Sequence, residues 1–446
     1  MKPTVHFTLA LALSSTIAVQ SQMPGPSTVQ VPMTPMSSVG AVRLNLADAE
    51  KLALQNNPRI AVGRLLALAQ NQVMRETRSA EMPIVTGNLT AVDSHESSRI
   101  TAGSLNNPVV YQRAAGGISL SQLITDFGRT RNLVSSADLR ARAEASAADA
   151  TAADIILAVD IAYYRALGAQ TVLDVANETV KARQATVDQL AALAKAKLRS
   201  ALDLSFANVA LQQAELLLLN ATNQTQDALA AMNALLGEET APNIVLIDDE
   251  TAAPPPPTQN PEALVTEAFA HRPDLISLSQ QAQAAQKFSI AEHDLNRPTI
   301  SALGTAGGAP IRADQIASSW YGAAGVNVSI PIFSGFLFSA RAHDADLRAS
   351  AAQQQVKELR DSIARDVRTA ALQAQLNLQQ IAVAQQLLNQ ANSALDLAQT
   401  RYNLGLSSIV ELSQAQLQQT QAQIELADAR YAYAGSLATI RFQTGQ

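Results

Sequence analysis

Trp320-Tyr-Gly-Ala-Ala-Gly-Val-Asn-Val-Ser-Ile-Pro-Ile-Phe333 divides its side chains cleanly between two faces. Trp320, Gly322, Ala324, Val326, Val328, Ile330 and Ile332 share one face; Tyr321, Ala323, Gly325, Asn327, Ser329 and Pro331 share the other. A period of two marks an extended strand whose faces meet different surroundings. Three further stretches read the same way. Ala114, Gly116, Ile118 and Leu120 oppose Ala115, Gly117, Ser119 and Ser121, and Val85, Gly87, Leu89 and Ala91 oppose Thr86, Asn88 and Thr90. In the last, Ile300, Ala302, Gly304 and Ala306 oppose Thr299, Ser301 and Thr305. Strands of about ten residues, apolar outside and small or polar inside, fit a transmembrane barrel; an antiparallel sheet packed on helices has the same alternation. Four strands close no barrel, and an open edge in lipid leaves backbone groups unpaired. If these strands span a membrane, several chains share one barrel: two would fill its interior with side chains, and three would leave a lumen.

The strands belong to an internal repeat. Asn57-Pro58 and Pro83 recur as Arg272-Pro273 and Pro298, 215 positions later. Gly117, Asp203, Ala207 and Gly237 recur as Gly325, Glu411, Ala415 and Gly445, 208 positions later. The lag changes once, between Pro83 and Gly117, where a variable loop is expected. Each copy reads short helix, medium helix, strand, loop, strand, very long helix, long helix. Length alone suggests about three domains, but the repeat predicts two intertwined halves of one elongated body.

No proline interrupts the helical pattern from about Asp126 to Lys197, where Leu157, Ile161, Leu167 and Leu173 supply apolar positions, or from about Ser334 to Leu404. In the second stretch Val367, Ala374, Ile381, Leu388, Leu395 and Tyr402 step by seven, accompanied by Ala370, Ala384, Ala391 and Ala398. Such heptads predict coiled-coil packing, with alanines permitting close approach. Each long helix would span about 100 Å. The helices expected over Pro58–Met82 and Ala201–Gly237, laid end to end, nearly match it. Each repeat therefore makes one continuous and one spliced column.

Composition agrees: 47% of the 446 residues are hydrophobic, only 4% aromatic and 16% charged. The net charge of −6, without a Lys/Arg cluster, argues against a nucleic-acid partner, and the absence of cysteine excludes disulfides and thiolate chemistry. Residues 1–21 read as a secretory signal, from Lys2 through the apolar Phe7 to Val19 to small residues near Ser21. Residues 22–42 read as a disordered leader, 43–247 as the first repeat, 248–261 as a proline-rich linker and 262–446 as the second repeat. No apolar run after the signal is long enough for a transmembrane helix.

At this point a family resemblance emerges. Leu44-Asn-Leu-Ala-Asp-Ala-Glu-Lys-Leu-Ala-Leu-Gln-Asn-Asn-Pro58 resembles the opening helix of the TolC-type outer-membrane efflux channels. Ser329-Ile-Pro-Ile-Phe-Ser-Gly335 resembles their strand-to-helix junction, and Arg401-Tyr-Asn-Leu-Gly-Leu-Ser-Ser-Ile-Val-Glu-Leu412 the turn between their last long helices. The resemblance covers about residues 44–446. It implies a mainly α fold with transmembrane β, in which long helical hairpins form a periplasmic α-barrel and a homotrimer shares one β-barrel. It further implies an exit duct in the outer membrane of a double-membraned bacterium, extending into the periplasm and serving a tripartite efflux pump or a type I secretion system. A periplasmic adaptor and an inner-membrane pump would be its partners. A periplasmic adaptor protein and a structural coiled coil are the alternatives, although the latter explains neither the strand pairs nor the signal.

The resemblance also singles out residues at the turns farthest from the membrane. Acidic side chains early in the last helix line the narrowest ring of such ducts; Glu411 occupies the first of those positions and Gln414 stands where a second acid is frequent. Tyr402 matches a tyrosine that bonds an aspartate across the repeat, and Asp203 matches that aspartate. Ser407 replaces an arginine reaching a neighbouring protomer, a lock that Arg401 or Arg199 would have to supply. Ser408-x-x-Glu411 and Ser200-x-x-Asp203 also read as capping boxes, a purely structural role for the same acids, and Tyr402 is also a heptad core position. Trp320 at one end of the best strand, with Phe333 and Phe336 at the other, is expected at the membrane interfaces. Nothing points to an enzyme, a cofactor or a metal. The five histidines (His6, His95, His271, His293 and His343) lack ligand spacing, and Asp126-Phe-Gly128 matches a kinase tripeptide without any other kinase element.

Overall fold

The computed structural model describes residues 42–93, 113–237, 244–248, 260–311 and 318–446. The signal read over 1–21, the leader over 22–42 apart from Val42, and most of the linker over 248–261 lie outside the described residues. The first repeat runs β1 (Val42–Leu44), α1 (Leu46–Asn56), α2 (Pro58–Ser79), β2 (Ile84–Val92), β3 (Arg113–Thr125), α3 (Arg129–Lys195) and α4 (Ala201–Leu236). After β4 (Ile244–Leu246), the second runs α5 (Pro261–His271), α6 (Pro273–His293), β5 (Thr299–Ile311), β6 (Trp320–Ser329), α7 (Leu337–Asn403) and α8 (Ile409–Thr444). α3 and α7 are each 67 residues long, α4 and α8 each 36. α3 packs along α2, α4, α6 and α8, and α7 along α6 and α8, so each long helix lies beside spliced columns.

The helix starts follow from their caps. Asn45, Asn57, Asn260 and Ser408 accept backbone N–H groups at the first turns of α1, α2, α5 and α8, and Pro58, Pro261 and Pro273 occupy first-turn positions. Asp126 of the kinase-like tripeptide is a structural residue: its buried carboxylate accepts the Thr130 backbone N–H at 2.7 Å and the Thr130 hydroxyl at 2.5 Å, anchoring the start of α3. The repeated glycines Gly237 and Gly445 end α4 and α8 in the left-handed region, at φ 75° and 77°. A Cβ on Gly237 would lie 2.6 Å from the Asn56 carbonyl oxygen, and one on Gly445 2.8 Å from the His271 carbonyl carbon. Each repeat thus packs its last turn against the end of its own first helix. Gly237→Ala should destabilise the protein by about 1–3 kcal/mol, read as a lowered melting temperature in detergent.

The α7 heptads behave largely as their spacing predicts. Val367, Ala370, Ala374, Ala384, Ala391, Ala398 and Tyr402 are buried, and Ile381, Leu388 and Leu395 are partly buried against the same seam. Asn377 interrupts the alanine row; its side chain donates to the Ala432 carbonyl at 3.1 Å and accepts from Gln373 at 2.8 Å. On α3 the reading was out of phase at one position: Ile161 is exposed, while Ile155, Val159, Tyr163 and Ala166 form the buried stripe.

The four long strands make one antiparallel sheet in the order β2-β3-β5-β6. Its register keeps like faces together: Val85 opposes Leu120, Leu120 opposes Gly304, and Gly304 opposes Ala324. On the other face Thr86 opposes Ser119, Ser119 opposes Thr305, and Thr305 opposes Ala323, with the Thr86 and Ser119 hydroxyls 2.6 Å apart. A second, smaller sheet was not legible in the sequence. β1 and β4 pair in parallel, and the Tyr163 hydroxyl donates toward the Leu44 carbonyl at 3.2 Å and the Ile247 carbonyl at 2.6 Å, sealing the largest core cluster. Among the described residues no helix is long and apolar enough to cross a membrane.

Candidate functional site

The sheet forms a wall with two free edges. β2 and β6 are its outer strands, and every residue of β6 is exposed in the isolated chain. Trp320 stands at one end of β6, opposite Gly308, and is 72% exposed. Beyond the other end, the exposed Phe333 and Phe336 meet edge to face with ring centres 5.8 Å apart. All three aromatics are largely exposed, at opposite ends of an apolar band.

At the other extreme of the long helices lie the α3–α4 and α7–α8 turns. Leu190, Ala207, Ala398, Tyr402, Ile409, Leu412 and Ala415 form one core that joins the two hairpins. Tyr402 is buried there, but it does not bond Asp203 as expected. Its hydroxyl has no hydrogen-bond partner among the described residues. Arg199 holds this tyrosine instead: its guanidinium lies 4.6 Å from the ring centre and donates to the Tyr402 carbonyl at 3.1 Å. Burial raises the hydroxyl's pKa, Arg199 opposes that rise and the Asp203 charge adds to it. Asp203 therefore acts on Tyr402 only through space.

Glu411 sits in the first turn of α8. The Ser408 hydroxyl accepts its backbone N–H at 3.4 Å, whereas the matching Ser200 accepts from Leu202 rather than Asp203. The Glu411 carboxylate pairs loosely with Arg401 Nε at 3.6 Å. The Ser407 hydroxyl is buried without a partner among the described residues, and Arg199 and Arg401 meet the Tyr402 carbonyl and the Glu411 carboxylate. Gln414 lines a groove between α4 and α8. These turns carry Lys195, Lys197, Arg199 and Arg401 beside Asp203 and Glu411, so cations offset the acids that the sequence brought forward.

A cluster that sequence reading missed lies near the other end of α8. Asp160 of α3 is almost fully buried beside Glu50 of α1, and Arg441 of α8 stands 3.7 Å from Asp160 and 3.9 Å from Glu50. Burial first, then the charge and hydrogen bond of Glu50, push the Asp160 pKa up to about 7, against the pull of Arg441. An acid inside the apolar run Ile155-Ile-Leu-Ala-Val-Asp-Ile-Ala-Tyr-Tyr164 was the available signal.

Comparison with known proteins agrees with this geometry. The profile of the outer membrane efflux protein family matches residues 50–238 and 264–446, one segment in each repeat. The outer membrane protein TolC of Vibrio cholerae is 24% identical over 419 residues, which is 90% of either chain. Among solved structures, the outer-membrane channel OprN superposes with a TM-score of 0.78 at 18% identity, covering 90% of this chain and 89% of that one. The CmeC outer membrane channel of Campylobacter jejuni gives 0.77 at 18% identity, covering 90% and 85%. With both repeats matched in order, the chain belongs to the outer membrane efflux protein family and is an outer-membrane efflux channel.

Proposed function

We propose that three copies assemble into a passive duct whose shared barrel contains about twelve strands, and that a periplasmic adaptor and an inner-membrane pump complete the route. The observation that carries this reading is the four-stranded sheet with two unpaired edges and one continuous apolar face. The helices support it independently. α4 exposes Leu202, Val209 and Leu216 at heptad spacing, and α7 exposes Leu376, Val383 and Leu397 on the same period, which Leu404 continues just past its end. Each is a coiled-coil seam that its own chain leaves open, suited to α4 of one copy meeting α7 of the next. The test is unheated gel electrophoresis of the outer-membrane fraction followed by planar-bilayer recording. A heat-labile trimer that conducts is expected; a soluble monomer would overturn the reading.

The gate assigned to this duct is the core of the two distal turns. Because the Tyr402 hydroxyl is unpartnered, Tyr402→Phe should leave conductance near the wild-type value. Arg199→Ala removes both the ring contact and the carbonyl bond, together about 1–3 kcal/mol, and should raise conductance severalfold. Glu411→Gln should shift ion preference toward anions, since Arg401 then loses its counter-charge. Equal conductance of Arg199→Ala and wild type would move the gate elsewhere. Trp320, Phe333 and Phe336 mark the two lipid interfaces in this arrangement.

A further inference from the structure

α3, the α5–α6 junction and the end of α8 surround a cavity of about 330 Å³. That volume is near the lower limit for small-molecule sites, with room for a one-ring ligand but not for a peptide. All of its walls come from one chain, so it is complete whatever the number of copies in the duct. Ala153, Ile156, Leu157, Pro273, Ala438 and Phe442 give it an apolar surface.

The charges around it are unbalanced. Four acids, Asp149, Asp154, Asp160 and Asp274, line it against two guanidiniums, Arg272 and Arg441. Arg272 is already engaged: it grips Asp274 at 3.0 and 2.6 Å, donates to Gln443 and lies 5.3 Å from the centre of the Phe442 ring. Arg441 then faces three acids and is shared with Glu50 besides. Such a lining favours a cation over an anion. The most buried of these acids is also incomplete. Asp160 is 2% exposed, and its Oδ1 has no hydrogen-bond partner among the described residues. Arg441 approaches only the other oxygen, at 3.7 Å, too far for a hydrogen bond. A buried acceptor is costly until a donor reaches it. Among the described residues no group of three His, Cys, Asp or Glu side chains could hold a metal ion, and the apolar surface points to an organic donor.

We propose that this cavity binds a small organic amine, whose ammonium donates to Asp160 Oδ1 and whose apolar body rests on Ile156, Leu157 and Phe442. An ammonium bonds a carboxylate more strongly than a protonated carboxyl. Binding below neutral pH therefore expels a proton: the ammonium enters intact, the Asp160 O–H bond breaks and its proton passes to solvent. Glu50 of α1 holds that proton on, and Arg441 of α8 pulls it off. Tyr164 of α3 stays neutral beside them, since burial and the Asp160 charge raise its pKa. Asp149 and Asp154 are exposed, and Arg272 and Asp274 offset one another. The amine thus takes the place of the proton.

The test is isothermal titration calorimetry of the full-length protein in lipid nanodiscs, with 2-phenylethylamine as the probe. Titrations at pH 6 in two buffers of different ionisation enthalpy should count about one proton released per site. Affinity should rise about tenfold from pH 6 to pH 8, where the proton has already left. 2-Phenylethanol, with the same ring and no charge, should bind about tenfold more weakly at pH 8, and 3-phenylpropionate should not bind. Asp160→Asn should lose the proton release and the pH dependence, together with about tenfold in affinity at pH 8. Ala153→Phe, which fills the cavity without touching a charge, should abolish binding while keeping the pH dependence of the melting temperature. Absence of amine binding to the wild type would overturn the proposal. So would equal binding of the alcohol, or unchanged affinity and proton release in Asp160→Asn.

Discussion

Lysine at Val326 or Val328 is expected to abolish the outer-membrane trimer. Both residues lie on the apolar face of β6, where Val326 opposes Ala302 and Val328 opposes Ile300. Both are more than half exposed in the isolated chain, so neither has an internal packing partner that explains its character. A lysine facing lipid near mid-bilayer costs about 2–4 kcal/mol per copy, so three copies cost about 6–12 kcal/mol. That sum is comparable with the whole stability of an ordinary domain, about 5–15 kcal/mol. Asn327→Lys provides the control: it lies between the two valines, points to the other face and opposes Ser301. It should assemble normally and alter conductance, since its charge would enter the lumen. Normal heat-modifiable trimer from both Val326→Lys and Val328→Lys would place this face away from lipid.

Asp160→Asn should raise the melting temperature at pH 8 and flatten its dependence on pH. The native chain keeps Asp160 protonated up to about pH 7, against a value of 3.8 for an ordinary aspartate. Between those limits the folded state binds a proton that the unfolded chain releases. The associated stability is therefore fully present below the lower value and lost as pH rises through the upper one. At about 1.4 kcal/mol per tenfold, the loss is at most about 4–5 kcal/mol per chain. Above pH 7 the ionised Asp160 faces Glu50, with Arg441 at 3.7 Å as the neighbouring cation. The amide cannot ionise, so α1 should stay docked on α3 in alkali. A wild-type melting temperature that does not fall between pH 5 and pH 8, or a variant that falls with it, would remove this role.

Much of the architecture could be read from local periodicity. The alternation in Trp320–Phe333 and the sevenfold steps through Val367 and Tyr402 are dictated by single elements, so neighbouring residues carry the signal. β1 and β4 were invisible for the opposite reason. Each has three residues, they pair in parallel across some two hundred positions, and they adjoin segments read as leader and linker. The tip was only partly legible. The sequence placed Tyr402, Asp203 and Glu411 in the right turns, but whether a hydroxyl meets a carboxylate depends on side-chain packing. Here Arg199 takes the tyrosine's face and carbonyl instead. Arg183 of α3 gave no signal at all, because Val180-Lys-Ala-Arg-Gln184 reads as solvated helix, yet its side chain is buried.

The two free edges of the sheet also bear on inheritance. A chain whose β2 edge is normal but whose β6 is damaged can still accept one neighbour, and so can be drawn into rings that it cannot complete. When damaged and intact copies are made in equal amounts and mix at random, only about one ring in eight is wholly intact. A lesion in β6 that spares secretion should therefore be dominant over the intact gene, whereas one that prevents the strand from folding at all should be recessive. Co-expression of Val326→Lys with the wild-type chain would reveal which behaviour the edge imposes.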